Sequence, residues 1–390
     1  MKIPWGYSIF VSSLLLLRTA FICRRNFYAK RMDTHFIQEK IQVLDGGFGT
    51  ELQTAGYNIQ NNSLWSAAAL FDKPELIFQI HKRFIEAGSD IILTNTYQAC
   101  ISTMMNSRGM TKAAAESSLK MLSFLKQKLV SLAEQAVEEH SGQKKVKIAG
   151  SVGPYGVFLN NGSEYNGNYV DELEEQVMVD YHMQQTIPLL QAGLKVIAYE
   201  TVPSCIEAMA ILKAADAIDH SYNFWISFSC KDNEQTCHNE SFYKCIEKIS
   251  YHPKILGIGI NCTSPNYITP LLQSASTSVS SLPFIVYPNS GEIYESDTKK
   301  LFFFFFIIYV RWRNGKCTFP NIEQLMEWKD LGVKVVGGCC RVGAEKIKEL
   351  SILSQYGNKS YRGEFEMTHE SLPHHATIPP SLCSVAPVLS

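Results

Sequence analysis

Two adjacent cysteines, Cys339 and Cys340, follow a short apolar run and two glycines in the stretch VVGGCC. Cys262 ends another apolar run, far earlier in the chain. Three protein ligands with one open coordination position are typical of a catalytic zinc site, and thiolates favour zinc over magnesium or calcium. The two glycines would let the backbone turn so that both neighbouring thiols reach one ion. These residue types indicate a zinc centre, provided that the fold brings the three thiols together.

The same cysteines allow other interpretations. The adjacent pair could be a redox couple unrelated to Cys262, and Cys230, which also ends an apolar run, competes with Cys262 as the third ligand. A single buried cysteine usually behaves as a small apolar side chain. We predict that role for three others: Cys100, Cys205 and Cys245. The spacing of the cysteines does not decide between a zinc site and these alternatives.

The elements that would position the thiols are short apolar runs rich in β-branched residues. Eight such strands are predicted, at 41–47, 90–97, 146–154, 195–203, 224–230, 255–262, 283–291 and 333–340. Nearly continuous apolar runs are typical of parallel strands that are covered on both faces. Helical patterns separate them, such as 74–88 and 170–193, and Pro188 should kink or divide the second of these. Eight strand-then-helix units predict an α/β fold, a single (β/α)8 TIM barrel.

A barrel of this kind carries its chemistry at the carboxyl ends of the strands. The polar residues predicted to stand there, besides the cysteines, include Asp45, Asn95, Glu200 and Asn289. Local pattern alone would make Asp45 a helix N-cap and Glu200 a partner in an ion pair at the barrel rim.

Composition excludes several classes of protein. The 390 residues carry a formal net charge of −1, which argues against binding to nucleic acid. The 11 cysteines have no regular spacing, as expected for free thiols in a reducing compartment and not for a disulfide framework. This pattern predicts a protein of a reducing compartment, the cytoplasm.

The first 31 residues differ from the rest of the chain. Residues 1–31 contain lysines and arginines but no acidic residue, and their apolar run Ile9–Leu17 is too short to span a bilayer. This N-terminal extension could be a signal-peptide core or a mitochondrial presequence. A presequence would change the predicted location to mitochondria. Alternatively, translation starts at Met32 and the extension is an artefact of the gene model. In all cases no stable membrane span is predicted.

A second unusual stretch, LFFFFFIIYV, occupies Leu301–Val310. It is too short for a membrane span and does not alternate as a half-buried strand does. Joining Lys300 directly to Arg311 restores an ordinary polar loop, so we interpret 301–310 as an insertion derived from a retained intron end. The predicted barrel domain covers 32–355, and the Ser-, Pro- and His-containing tail 356–390 is predicted to be disordered.

Eight motifs together resemble those of the homocysteine S-methyltransferases. They are LDGGFGTEL (44–52), NSLWSA (62–67), AGSDIILTNTYQA (87–99), GSVGPYG (150–156), YETVPS (199–204), GINCTSP (259–265), YPNSG (287–291) and GGCCRVG (337–343). The resemblance runs from Gln42 to Leu353 and is interrupted only by Leu301–Val310. It implies a zinc-dependent TIM barrel that methylates homocysteine to methionine.

The resemblance also implies roles for single residues. Cys262, Cys339 and Cys340 match the zinc ligands of the family, which form its catalytic centre, so Cys230 is not expected to be a ligand. The substrate-binding set is Asp45, Glu200 and Asn289. Asp45 and Glu200 match positions that hold the amino group of homocysteine. Asn289 matches a position that can supply an oxygen ligand to the metal when substrate is absent.

The chemistry of such a site explains its residue types. A free thiol has a pKa near 8.5, and coordination to zinc deprotonates it, which makes the sulfur of homocysteine nucleophilic at neutral pH. The expected methyl donor is a sulfonium, S-methylmethionine or S-adenosylmethionine, and the motifs NSLWSA and GSEYNG (162–167) resemble those of the S-methylmethionine-using branch. The alternative is a non-catalytic zinc-binding relative that the insertion 301–310 has inactivated.

Overall fold

The computed structural model describes residues 36–59, 64–103, 115–140, 142, 144–276, 282–291, 293–296, 310–313 and 322–358. Ten strands are described: β1 Gln42–Val43, β2 Ile91–Leu93, β3 Lys147–Val152, β4 Val196–Val202, β5 Asn223–Phe228, β6 Ile255–Asn261, β7 Phe284–Tyr287, β8 Ile293–Ser296, β9 Val310–Arg313 and β10 Val333–Val336. Seven of the eight predicted strands contain one of them, the predicted strand 224–230 overlaps β5, which begins one residue earlier, and β8 and β9 are additional.

The helices alternate with the strands. Eleven are described: α1 Phe48–Thr54, α2 Ala69–Asp72, α3 Pro74–Glu86, α4 Ala115–Glu138, α5 Tyr155–Leu159, α6 Glu175–Gln191, α7 Cys205–Ala217, α8 Phe242–Ile249, α9 Pro265–Ser276, α10 Ile322–Asp330 and α11 Ala344–Asn358. Short 3₁₀ turns occur at Trp65–Ala68, Ser163–Tyr165 and Asn168–Asp171. The alternation of strand and helix is that of βαβ units, which cover a parallel sheet on its outer face.

Eight parallel strands form one sheet in the order β1-β10-β7-β6-β5-β4-β3-β2. A parallel bridge between Leu44 and Ile91 joins its two edges, and the amide of Asp45 donates to the carbonyl oxygen of Ile91 at 3.1 Å. The sheet is therefore closed into a ring, and the predicted (β/α)8 barrel is confirmed.

Apolar side chains fill both sides of this ring. The inner cluster takes residues from every barrel strand or its end: Leu44, Ile91, Ala149, Val196, Ala198, Trp225, Leu256, Ile285, Tyr287 and Val335. Phe36 packs against Trp225 with ring centroids 6.3 Å apart. A larger cluster lies between the strands and the helices. Burial on both faces explains why the strands read as continuous apolar runs and not as alternating ones.

Two helix predictions were made from spacing, and they differ in outcome. Helix α3 begins with Pro74 at its first position, and Gly88 follows it with φ +103°, as the pattern of 74–88 predicts. Helix α6 contains Pro188 yet runs without interruption from Glu175 to Gln191. Pro188 does not divide this helix. The proline is buried, and its packing offsets the loss of one backbone hydrogen bond.

The segment between β7 and β10 contains an unpredicted hairpin. Strands β8 and β9 pair in antiparallel register, with Ile293 opposite Arg313 and Ser296 opposite Val310. The predicted insertion 301–310 lies outside the described residues except for Val310. The extension 1–31 and the tail from 359 also lie outside them, whereas 356–358 belong to helix α11, three residues beyond the predicted end of the barrel domain. Among the described residues, no helix is long and apolar enough to cross a membrane.

Deleting Leu301–Val310 is expected to raise the soluble yield of the protein several-fold and to leave its metal content unchanged. Ten consecutive apolar residues favour aggregation when they are exposed. Fractionation of lysates and metal analysis of the purified variant test this. Replacing Phe302–Phe306 by serines is the matched control, because it removes the apolar character and keeps the chain length. Unfolding of both variants would show that the segment is a real structural element.

Candidate metal centre

Three cysteines meet at the carboxyl end of the barrel. Cys262 directly follows β6, and Cys339 and Cys340 follow β10. The Sγ atom of Cys262 lies 2.6 Å from that of Cys339 and 3.9 Å from that of Cys340, and all three Sγ atoms lie within 4.8 Å of one another. The barrel thus brings together three thiols that are far apart in the sequence.

This geometry can be compared with the requirements of a bound ion. Four tetrahedral ligands with a Zn–S bond near 2.3 Å place sulfur atoms about 3.8 Å apart. The separation of Cys262 and Cys340 matches that value, and the closer pair must open by about 1 Å to share an ion. Hydrogen bonds from Cys262 and Cys339 lower the pKa of Cys340 well below its usual value, whereas hydrogen bonds within the cluster and burial raise the pKa values of Cys262 and Cys339, so the cluster favours one thiolate. The donor set therefore fits a soft divalent metal with one position left open.

Cys230, the alternative third ligand, is not part of this group. Its side chain is buried, and burial raises the pKa of its thiol well above the usual value. Its backbone N–H donates to the Thr263 hydroxyl at 3.0 Å. The structure therefore brings Cys262, and not Cys230, to the adjacent pair.

Strained backbone surrounds the thiols. Cys262 has φ +47°, Arg341 has φ +66° and Thr201, next to Glu200, has φ +58°. A left-handed conformation is rare outside glycine and especially unfavourable for a β-branched residue such as threonine. Its presence at three positions shows that surrounding contacts hold these strand ends in place.

Asn261 supplies several of those contacts, and the sequence did not identify it. Its Oδ1 accepts from the N–H of Thr201 at 2.7 Å, and its Nδ2 donates to the Thr201 hydroxyl at 2.9 Å. The same Nδ2 lies 4.0 Å from the Sγ of Cys339. The only available signal was a polar residue immediately before Cys262 at the end of an apolar strand.

The loop after β7 holds the thiol pair through its backbone. The N–H of Cys339 donates to the carbonyl oxygen of Pro288 at 2.8 Å, and the N–H of Ser290 donates to the carbonyl oxygen of Cys340 at 3.1 Å. The Oδ1 of Asn289 accepts from the N–H of Cys340 at 3.2 Å. Asn289 therefore lies at the thiol cluster, with its oxygen bound to the backbone of the loop that carries the pair.

Two glycines let the loop after β1 approach the thiol loop. A Cβ atom on Gly46 would lie 2.3 Å from the carbonyl oxygen of Val342, and one on Gly47 would lie 2.5 Å from that of Cys339. Both distances are far below van der Waals contact with backbone atoms that cannot rotate away. The glycines in LDGG are therefore required by close packing of the two loops.

Two buried carboxyl groups lie beside Cys339. Asp45 is 2% exposed and its Oδ2 accepts from the N–H of Leu93 at 2.8 Å. Glu200 is 7% exposed and accepts from the Ser151 hydroxyl. Burial raises the pKa of Asp45 well above its usual value and that of Glu200 to about 8, and negative charge on Cys339 adds to both shifts. Such a pocket has an excess of negative groups and favours a ligand that brings a positive charge.

A second cluster of possible ligands contains Cys205, Glu240 and Cys245, whose ligand atoms also lie within 4.8 Å of one another. Both of its thiols are buried, as is Cys100, in agreement with the predicted apolar role of these three cysteines. The Oε2 of Glu240 accepts from the N–H of Cys205 at 2.6 Å, at the first residue of helix α7. Because that helix start already explains Glu240, this cluster needs no metal.

Comparison with known proteins places these features in context. Residues 42–353 match the profile of a family described as homocysteine S-methyltransferase. The chain is 35% identical over 321 residues to homocysteine S-methyltransferase 1 of Brassica oleracea var. italica, which covers 79% of this chain and 92% of the relative. It is 35% identical over 316 residues to the homocysteine S-methyltransferase YbgG of Bacillus subtilis, which covers 79% of this chain and 93% of the relative.

A solved structure resembles the whole barrel. The crystal structure of the homocysteine methyltransferase MmuM from Escherichia coli in its metallated form matches with a TM-score of 0.66 and 29% identity, covering 80% of this chain and 96% of that chain. The Escherichia coli protein is thus described in a metal-bound state. Three thiols that could ligate a metal lie together in the chain described above.

Proposed function

Because the chain belongs to the homocysteine S-methyltransferase family, we propose that it transfers a methyl group from a sulfonium donor, S-methylmethionine or S-adenosylmethionine, to the thiol of L-homocysteine, forming methionine. The observation that carries this proposal is the cluster of three thiols beside two buried carboxyl groups at the carboxyl end of the barrel. Thiol ligands favour Zn²⁺ among the common divalent ions, so we propose zinc as the metal and Cys262, Cys339 and Cys340 as its ligands.

The reaction follows from the charges of the two substrates. A bound Zn²⁺ ion would supply the positive charge that keeps the homocysteine sulfur deprotonated at neutral pH. The thiolate sulfur attacks the methyl carbon of the sulfonium, so a new C–S bond forms while the old C–S⁺ bond breaks. The electron pair of the broken bond returns to the donor sulfur, which becomes a neutral thioether. The thiol proton has already been released, so no acid or base is needed during transfer, and alignment of the reacting atoms lowers the barrier.

Asp45 and Glu200 are proposed to bind the ammonium group of homocysteine. Both carboxyl groups are buried beside Cys339, and both have raised pKa values, so a neighbouring cation stabilises their ionised forms. Asn289 is proposed to position the thiol loop through its contact with Cys340 and to approach the metal when substrate is absent. Reduced thiols at the site fit a reducing compartment, the cytoplasm or, if residues 1–31 form a presequence, the mitochondrial matrix.

The alternative of a non-catalytic relative is less well supported. The described thiols and buried carboxyl groups are all in place around the barrel end, although the predicted insertion 301–310 lies in the same connection as the β7 loop. A non-catalytic relative would bind metal without turnover. Retention of both the thiols and the buried carboxyl groups is expected of an active enzyme, which uses both.

Purified protein incubated with L-homocysteine and each sulfonium donor tests the proposal. Methionine is expected from at least one donor, with about one zinc ion per chain by elemental analysis. Betaine, a methyl donor that is not a sulfonium, serves as the control and is expected to give none. Absence of methionine from both sulfonium donors, at full metal content, would support the non-catalytic alternative.

Replacing Asp45 by asparagine or Glu200 by glutamine is expected to raise the KM for homocysteine by about 10- to 100-fold, the value of a hydrogen bond to a charged group. Metal content should stay unchanged, because neither residue is a proposed ligand. Steady-state kinetics at saturating donor and elemental analysis measure both quantities. Asp180→Asn, on the exposed face of helix α6, is the matched control. Wild-type KM values in both site variants would exclude the proposed contact.

A further inference from the structure

The 3₁₀ turn Ser163–Tyr165 is held in place by packing against two other elements. It packs on helix α5 and on strand β4, which ends next to Thr201. A Cβ atom on Gly156 would lie 2.4 Å from the backbone nitrogen of Glu164 and 2.7 Å from its Cα atom. The turn is therefore seated directly on the helix, and its side chains have little freedom to move away.

Glu164 in this turn is a buried carboxyl group that is only partly hydrogen-bonded. The side chain is 9% exposed, and its Oε2 atom is buried with no hydrogen-bond partner among the residues that the structure describes. The neighbouring Ser163 hydroxyl is in the same condition within that part of the chain. Burying one carboxylate oxygen without a partner is unfavourable even though the backbone N–H of Glu164 interacts with the group, so this arrangement is retained at a cost to stability. Such a group is best explained by a ligand that completes it.

The surroundings of Glu164 identify the site that it serves. Burial raises the pKa of the Tyr97 hydroxyl well above its usual value, and the negative charge of Glu164 adds to that shift. Glu164 also interacts electrostatically with Tyr165 and with Cys340. Tyr165 is 41% exposed, so the group borders solvent. Glu164 is therefore a buried carboxyl group that interacts with two tyrosines and lies near the thiol cluster.

Glu164 is separate from the carboxyl pair that is proposed for the ammonium group of homocysteine. Asp45 and Glu200 interact with each other, and strand β4, which carries Glu200, packs against the turn that carries Glu164. The proposed reaction has two substrates that carry positive groups, and Asp45 and Glu200 are proposed for the first of them. Glu164 then remains for the methyl donor, which is the substrate that carries a sulfonium charge in addition to its ammonium group.

We propose that Glu164 binds a positive charge of the sulfonium methyl donor, with Tyr97 and Tyr165 as the aromatic walls of that subsite. This inference rests on the proposed function. A carboxylate attracts a cation directly, and tyrosine faces attract it through their ring electrons. Burial raises the pKa of Glu164 to about 7, so a neighbouring cation favours the ionised form that the contact requires.

Glu164→Gln tests the proposal because glutamine keeps the shape of the side chain and removes its charge. The KM for the sulfonium donor is expected to rise about 10- to 100-fold, while the KM for homocysteine stays within about twofold and the metal content is unchanged. Glu164→Asp keeps the charge but withdraws it by one methylene, and should give an intermediate donor KM. Glu172→Gln, an exposed residue after the next turn, is the matched control and should behave as wild type.

Inhibition by the neutral thioether product of the donor, measured against the donor at saturating homocysteine, shows which positive charge is bound. Saturation is needed because methionine, the product of S-methylmethionine, can also occupy the homocysteine site. If Glu164→Gln weakens the donor but not this product, the contact is to the sulfonium, and if both weaken equally, it is to the ammonium group. Either result supports the proposal. A wild-type donor KM in the Gln variant, or in the Asp variant should the Gln variant not fold, overturns it. Lack of turnover in the wild-type protein would instead contradict the proposed function itself.

Discussion

Serine in place of Cys262, Cys339 or Cys340 is expected to reduce bound metal from about one ion per chain to a small fraction of that, and to lower the rate of methyl transfer by at least about 1,000-fold. The Sγ atoms of these residues lie within 4.8 Å of one another, and together they are the whole proposed set of protein ligands. A serine hydroxyl is harder than a thiolate and stays protonated at neutral pH, so two thiols would hold the ion weakly. Elemental analysis and single-turnover rates measure the two effects.

Cys230→Ala is the matched control, because this cysteine also follows a barrel strand and is buried. It should keep the full metal content and the wild-type rate, with at most a modest loss of stability. Metal retention in any of the three serine variants would remove that residue from the ligand set. A wild-type content of two ions per chain would point to the second cluster at Cys205 and Cys245, and Cys245→Ser would then lose one of them.

The thiol cluster could be predicted because its determinants are local in the sequence. Continuous apolar runs identify buried parallel strands, and a closed barrel brings the residue after each strand to one end of the ring. Cys262 and the pair Cys339–Cys340 therefore converge once the strands are counted. The resemblance to a known family was needed to prefer Cys262 over Cys230, since both follow strands. The spacing of the cysteines alone does not distinguish Cys262 from Cys230 as the third ligand.

Other features depend on contacts between distant segments, which periodicity does not encode. Asn261 is one example, because its function is to hold Thr201 in a left-handed conformation across two strands. Glu164 is another, since its buried Oε2 has no hydrogen-bond partner in the described part of the chain, whereas a glutamate in a polar turn is normally expected to face solvent. Pro188 was expected to kink or divide helix α6 on local grounds, and burial of that helix offsets the local preference that would have divided it. Loop-to-loop contacts of this kind become visible only in the folded chain.

Glu207 also makes contacts between distant segments. This residue of helix α7 is fully buried, and its carboxylate accepts three hydrogen bonds. The donors are the N–H of Tyr155 at 2.5 Å, the hydroxyl of Tyr169, and Nε2 of His182 at 3.0 Å. Tyr155 and Tyr169 flank the turn that contains Glu164. Glu207 therefore anchors this whole segment to helices α6 and α7.

Glu207→Ala is accordingly expected to lower the free energy of unfolding by about 3–5 kcal/mol, because it leaves three buried donors without an acceptor. The midpoint of urea unfolding, followed by far-ultraviolet circular dichroism, measures this loss. The carboxylate of Glu175 provides the matched control, since it pairs with Lys213 at the surface of helix α6 and its side chain is 41% exposed. Glu175→Ala should change stability by less than about 1 kcal/mol.

A second measurement separates anchoring from simple loss of stability. Folded Glu207→Ala should show a raised KM for the methyl donor and an unchanged metal content, because the segment from Tyr155 to Tyr169 carries Glu164 but none of the proposed metal ligands. Glu207→Gln keeps one acceptor oxygen and should fall between the alanine variant and wild type in both measurements. An unfolding midpoint for Glu207→Ala equal to that of Glu175→Ala would show that the buried network contributes little. In that case the turn at Glu164 must be held by its packing on helix α5 and on strand β4.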